Sequence, residues 1–334
     1  MCYDELTKWL YANSGPILRY RVAIDLMKDT PQIERLQLLQ NALATPEMQR
    51  WLENLSQSRS IHGSNDTNAE NPLAKLLEYG LNRDVPVLNE RIHALLENQW
   101  ATWDGLILYP FLIRAGYAEH PRVAEYLTKR IELLYQTAQA GDFDFYLSPA
   151  EASSVPKAWR GKPIYRDSFG SEAGYPLPTC YDFYALTYCP PVSYIDNITK
   201  KIETIITFIF DSRFQTTVGG YGWDRTNNRC YAAGRVFLAC IEPARLVLFL
   251  EFGARFATAR QSESFQQGLA TLKRYRTAQG TYRFPPDLMA EKNGYYLYGG
   301  AHMGLGENRR SPQAMELEST FRMLHIQKHM QGWW

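Results

Sequence analysis

The sequence is poor in cysteine and has none in a pairing pattern. Cys2, Cys180, Cys189, Cys230 and Cys240 are odd in number and show no Cys-x-x-Cys spacing, which argues against a disulfide framework. The opening MCYDELTKWL lacks the basic and then apolar pattern of an export signal, so a cytoplasmic, reduced protein is expected. Long apolar runs are missing too. GLILYPFLI at 105–113 and IITFIF at 205–210 fall far short of the roughly 18–20 apolar residues that span a bilayer, and read as buried helix. Neither sign of charge is in excess: 36 Lys plus Arg face 35 Asp plus Glu, so nothing points to nucleic acid or a membrane surface held by net charge.

What the chain has in quantity is aromatic residues, 22 Tyr, 15 Phe and 8 Trp, or 13% of the whole. Rings at this density serve either as wedges in a repeat core or as walls of a ligand cavity. It also carries a degenerate repeat. Leu73 to Gly80 (LAKLLEYG), Tyr109 to Gly116 (YPFLIRAG) and Leu246 to Gly253 (LVLFLEFG) are apolar segments ending in glycine, the first two separated by one helical hairpin. Helix pairs of this kind bury their apolar faces only by stacking, into an open solenoid or a closed ring.

Helix starts are marked by proline. Pro16, Pro31, Pro46, Pro72 and Pro121 each precede an apolar face of helical period. The pattern predicts four N-terminal helices within residues 1–60, then hairpins pairing 73–80 with 85–98, 106–116 with 121–139, 180–189 with 194–210, and 243–253 with 262–279, before a last helix after Ser311-Pro312. Residues 141–179 carry Pro149, Pro156, Pro163, Pro176 and Pro178 and no helical period, and are expected as a non-helical insertion.

Short helices ending at Gly, alternating with helices that lead into Gln, Gly and aromatic loops, resemble the α/α toroid of the terpenoid cyclase and protein prenyltransferase superfamily. The residues concerned are Gln99-Trp-Ala-Thr-Trp103-Asp-Gly105, Gly219-Gly-Tyr-Gly-Trp223-Asp224 and Gln279-Gly-Thr-Tyr-Arg-Phe284. The stretches 9–27 and 302–324 are also similar to bacterial squalene-cyclase-like toroid proteins. The resemblance implies an all-α single domain over 1–334, an (α/α) toroid of five to six hairpins with a central cavity. It further implies an enzyme acting on an isoprenoid or other apolar small molecule, by acid-initiated cyclisation or isomerisation. A carbohydrate-active toroid (lyase or hydrolase) and a non-catalytic toroid holding a lipid or peptide remain alternatives, because a fold does not fix a function.

Cyclases of this kind use an Asp-x-Asp-Asp acid; the nearest string here is Asp142-Phe-Asp144-Phe, without the third acid. Prenyltransferases hold zinc with Asp-x-Cys and a distant His; Cys180-Tyr-Asp182 with His302 has those residue types in reversed order. No cofactor is expected otherwise. In a toroid the inner helices are parallel, so their N-termini gather at one mouth of the cavity. That places Asp104, Cys180, Asp182, Glu242 and His302 around one cavity, with Trp103, Tyr109, Tyr184 and Trp223 among its walls and Arg245 at a helix start. Asp182, among Tyr181, Phe183 and Tyr184, is the expected acid, since loss of solvation raises a carboxyl pKa; a helix cap is the competing role. His302-Met-Gly-Leu-Gly-Glu307-Asn-Arg309-Arg310 suits an anion if its arginines turn inward, or docks them on the acids at Glu316 and Glu318.

Overall fold

The computed structural model describes residues 1–98, 102–166, 176–216, 220–225, 227–232 and 243–332. Among them are sixteen α-helices and a single two-stranded hairpin, so the chain is overwhelmingly helical. Two compact units are distinguished, one built from residues within 1–99, 114–116 and 242–334, the other from residues within 100–113 and 117–241. They are called the first and second unit below.

In the first unit, helices Tyr3–Asn13, Pro16–Asp25, Gln32–Leu43 and Pro46–Ser56 open the chain. Pro16 and Pro46 stand in the first turn, where a missing N–H costs nothing, whereas Pro31 sits one residue before its helix. Leu6, Leu10, Leu18, Val22 and Leu26 form one apolar cluster with Leu305, Leu317, Phe321 and Leu324. The N-terminal helices and the final helix Ala314–Met330 therefore share a core.

Helix Glu70–Glu78 starts three residues before the predicted Leu73, and all nine of its residues are buried. The two leading repeat glycines have the same cap geometry. Gly80 has φ of +87° and Gly116 +98°; Leu81 N–H returns to the Leu76 carbonyl at 3.1 Å and Tyr117 N–H to Leu112 at 2.9 Å. This is the left-handed cap that glycine adopts without strain. Gly253 differs, lying inside helix Pro243–Gly253.

The predicted helix over 262–279 is two pieces, Ala257–Gln261 and Glu263–Lys273, because the Ser262 hydroxyl accepts the Phe265 N–H and starts the second afresh. The helices Pro86–Glu97, Thr102–Arg114, Pro121–Ala140 and Cys180–Tyr188 follow their predicted segments within a few residues.

In the second unit, Ile198, Ile202, Ile205, Ile206 and Ile209 line one face of helix Ile198–Ile209, which packs against Pro121–Ala140 with Lys201 and Glu132 paired at 2.6 Å. The described part of the proline-rich insertion holds no α-helix, only one-turn 3₁₀ pieces at Glu151–Ser154 and Lys157–Trp159. It leans on the hairpin Tyr221–Asp224 and Arg229–Ala232 through Tyr165 N–H to the Tyr221 carbonyl and Tyr221 N–H to Pro163. Val155, Ile164, Trp223 and Cys230 close a small core there. No helix among the described residues is long and apolar enough to cross a membrane.

Candidate functional site

Lys75 is the only charged residue among the first-unit helix positions 71–77, and it is 1% exposed. A buried ammonium is tolerated only with its three protons placed. All three are: Nζ donates to Glu291 Oε2 at 2.7 Å, to the His302 carbonyl at 3.0 Å and to the Gly304 carbonyl at 2.8 Å. The Trp51 and Tyr79 rings lie 5.8 and 5.4 Å from it. His302 adopts a left-handed backbone, φ +59°, a conformation that costs a bulky residue roughly 1–3 kcal/mol. It is retained where the same residue's carbonyl is one of the three acceptors of Lys75.

The glycine loop is shaped by carboxylates. Glu291 Oε2 also accepts the Gly304 N–H at 2.6 Å, and a side chain at Gly304 would collide with that carboxylate. Glu318, with no exposed surface, accepts Leu305 N–H at 2.6 Å and Glu307 N–H at 3.3 Å on Oε1, and pairs Oε2 with Arg309 at 2.5 Å. Arg309 thus docks on the acid of the following helix, and the Gly304, Leu305 and Glu307 amides hold the chain's own carboxylates. Glu307 reaches back to accept the Gly15 N–H at 2.7 Å.

These groups surround a cavity of about 760 Å³, lined also by Thr45, Glu47, Arg50, Tyr79 and Arg310. Its lining carries four carboxyl groups and four cations. Glu47 Oε1 accepts from Arg50 at 3.0 Å, Trp51 Nε1 at 2.8 Å and the Tyr79 hydroxyl at 3.1 Å. The carboxyls divide by environment. Burial pushes Glu318 above the usual carboxylate range despite Arg309, and burial does the same for Glu307. Burial acts on Glu291 too, but the charge and hydrogen bond of Lys75 and the Gly304 N–H hold it below that range. Glu47 is likewise held low against burial by Arg50 and Trp51. Burial, then Lys75, lowers His302, favouring a neutral ring, which donates to or accepts at Gly294 O (3.1 Å) and packs edge-on to Trp51.

Behind this cavity the first unit holds a second ionic network. Glu78 pairs with Arg114 at 2.6 Å and with Arg322; Arg322 also meets Glu251 at 2.8 Å and the Met303 carbonyl at 3.1 Å. Burial of Glu78 is outweighed by Arg322 and Arg114, so its carboxyl lies well below the ordinary range.

The residues singled out from sequence fall in both units. His302, Arg245, Glu307 and Arg309 belong to the first; Asp104, Tyr109, Cys180, Asp182, Tyr184 and Trp223 belong to the second. Glu242 and the Trp103 side chain lie outside the described residues. Asp182 is 3% exposed, and its oxygens accept Arg130 Nε at 2.7 Å, Arg130 Nη2 at 2.8 Å, and the Thr179 N–H and hydroxyl at 2.7 and 2.8 Å. That is a capping box reinforced by a bidentate arginine. Cys180 and Tyr184 are fully buried beside it; Tyr184 packs on Phe111 and Tyr188, each with centroids 5.0 Å apart. Tyr109 lies against Tyr126 at 5.3 Å. Asp104 stands half-buried in the first turn of Thr102–Arg114. Trp223 belongs to the small core of the hairpin, and Arg245 is buried in the first turn of Pro243–Gly253.

Among the described residues no group of three or more His, Cys, Asp or Glu is arranged to hold a metal ion. Glu47, Lys75, Tyr79 and Glu291 were not indicated by the motifs. The signal for them was the presence of Lys75 and Glu78 inside the otherwise apolar segment LAKLLEYG. Comparison with known proteins finds no matching family model, no similar curated protein and no matching solved structure.

Proposed function

We propose that the first-unit cavity is the functional site, and that it performs general acid–base chemistry on a polar small molecule. One observation carries this reading: carboxyls pushed toward opposite protonation states line the same cavity, Glu318 and Glu307 raised by burial, Glu291 and Glu47 held ionised by their partners. Titratable groups whose environments separate their pKa values are the arrangement that acid and base roles require. In this assignment Glu307, which is only partly buried, is the proton donor, and Glu291 is the acceptor. Lys75 keeps Glu291 charged, and Glu318 braces the loop. A polar substrate replaces the apolar isoprenoid expected from the resemblance, because the lining is charged and offers Tyr79 as its one aromatic ring.

The finer fold belongs to the same proposal. Hairpins capped alike at Gly80 and Gly116 support stacking of the α/α-toroid kind. An isoprenoid-cyclising reading keeps one supporting observation, the second-unit ring cluster of Phe111, Tyr181, Tyr184 and Tyr188. The test is native mass spectrometry of the purified protein with identification of whatever co-purifies, repeated on Glu291→Gln. A polar metabolite lost in the variant supports the cavity; an apolar lipid retained in it overturns the assignment.

A further inference from the structure

We propose that the ligand of this cavity is a neutral, multiply hydroxylated molecule, an inference that rests on reading the cavity as the functional site. The argument is an inventory of unused hydrogen-bonding atoms. In each lining carboxylate except Glu318 the protein's donors converge on one oxygen. Glu47 takes three on Oε1, Glu291 takes Lys75 and Gly304 on Oε2, Glu307 takes Gly15 on Oε1, and Glu318 takes two amides on Oε1. The second oxygens of Glu47, Glu291 and Glu307 accept no hydrogen bond from the described residues. In the wholly buried Glu318, Oε2 is taken by the ion pair to Arg309 at 2.5 Å. Arg309 Nε donates no hydrogen bond, while Nη2 is held by Glu318 and Nη1 by the Met289 carbonyl.

Spare acceptors and a spare donor therefore stand in one cavity. A ligand ammonium only donates and a ligand carboxylate or phosphate only accepts, whereas a hydroxyl does both. Charge selects the same class. Of the four lining cations, Lys75, Arg50 and Arg309 each already have a carboxylate partner. An added cation meets those three, and an added anion finds the Gly304, Leu305 and Glu307 amides occupied by Glu291 and Glu318. Hydroxyl-to-carboxylate bonds are short and charge-assisted, so several together give affinity without net charge. The cavity volume of about 760 Å³ is that of a small-molecule site, within the roughly 300–1,000 Å³ such sites occupy.

Isothermal titration calorimetry tests this with four classes of probe: myo-inositol, glucose and trehalose as polyols, spermidine as amine, citrate as anion, and geraniol as isoprenoid alcohol. Saturable binding of a polyol is expected, weakened at least tenfold in Glu291→Gln and in the more exposed Glu307→Gln, with helical circular dichroism retained. If spermidine, citrate or geraniol binds instead and those variants abolish it, the cavity reading stands and this inference falls. If a polyol binds and neither variant changes its affinity, the cavity reading itself falls. Binding by no polyol to the folded protein also overturns the inference.

Discussion

Asp182→Asn is the substitution on which the sequence and the structure disagree most. Its aromatic neighbours alone suggest a protonated acid, whose replacement by the isosteric amide leaves stability untouched. The geometry implies the reverse. Arg130 is 4% exposed and gives two N–H groups to Asp182 and one to the Leu177 carbonyl, 3.1 Å away. Removing the negative charge breaks a buried ion pair from one side, a loss of about 3–5 kcal/mol in comparable pairs. The amide oxygen still accepts one bond, so the lower end, about 3 kcal/mol, is expected. At roughly 2–4 °C per kcal/mol for larger domains, the melting temperature falls by about 6–12 °C. Urea unfolding of wild type, D182L, R130M and the R130M/D182L double variant supplies the cycle, with D182N measured beside it. The double variant removes both charges and should recover most of the loss, giving a coupling of a few kcal/mol. A D182N protein within about 0.5 kcal/mol of wild type refutes the reasoning and restores the acid.

Other expectations follow from the same structure. Arg322→Met removes the guanidinium that Glu78 and Glu251 share, both at most 3% exposed, and leaves Glu78 its pair with Arg114; it should cost about 3 kcal/mol in denaturant unfolding. Gly80→Ala places a side chain on a φ of +87° and should cost roughly 1–3 kcal/mol, with Gly116→Ala behaving alike if the two caps are equivalent. Glu307 has a folded pKa above its unfolded one, so it binds more protons folded and lowers stability as pH rises above about 4.3. Glu307→Gln should therefore gain stability relative to wild type with rising pH in that window, read from urea midpoints. Glu78 has the opposite sign: its stabilisation is present above the ordinary Glu pKa of about 4.3 and fades as pH falls below it, which acid unfolding of Glu78→Gln against wild type measures.

The elements were legible because their causes are local. Proline in the first turn, glycine at a left-handed cap and an apolar face of helical period each act within a few residues, and the segment predicted over 180–189 is the helix Cys180–Tyr188. Ser262 was a local signal too, and its cap divides what periodicity alone joins into one helix. The site was legible only where its residues share a loop. His302, Glu307 and Arg309 stood out through the glycines between them. Their partners lie far away in the chain: Gly304 binds Lys75 across 229 positions and Glu307 binds Gly15 across 292.

A charged residue on a buried helix is visible in sequence as a violation of pattern, but the partner that makes it tolerable is not. Lys75 and Glu78 sit one turn apart on one helix and serve separate networks, Lys75 holding the glycine loop and Glu78 holding Arg114 and Arg322. The same logic separates Asp182 from Glu307. Both acids are at least partly shielded from water, yet Asp182 receives two arginine and two threonine donors, and Glu307 receives one, the Gly15 N–H. Hydrophobic neighbours in sequence therefore do not identify the acid that chemistry can use; the count of donors around it does.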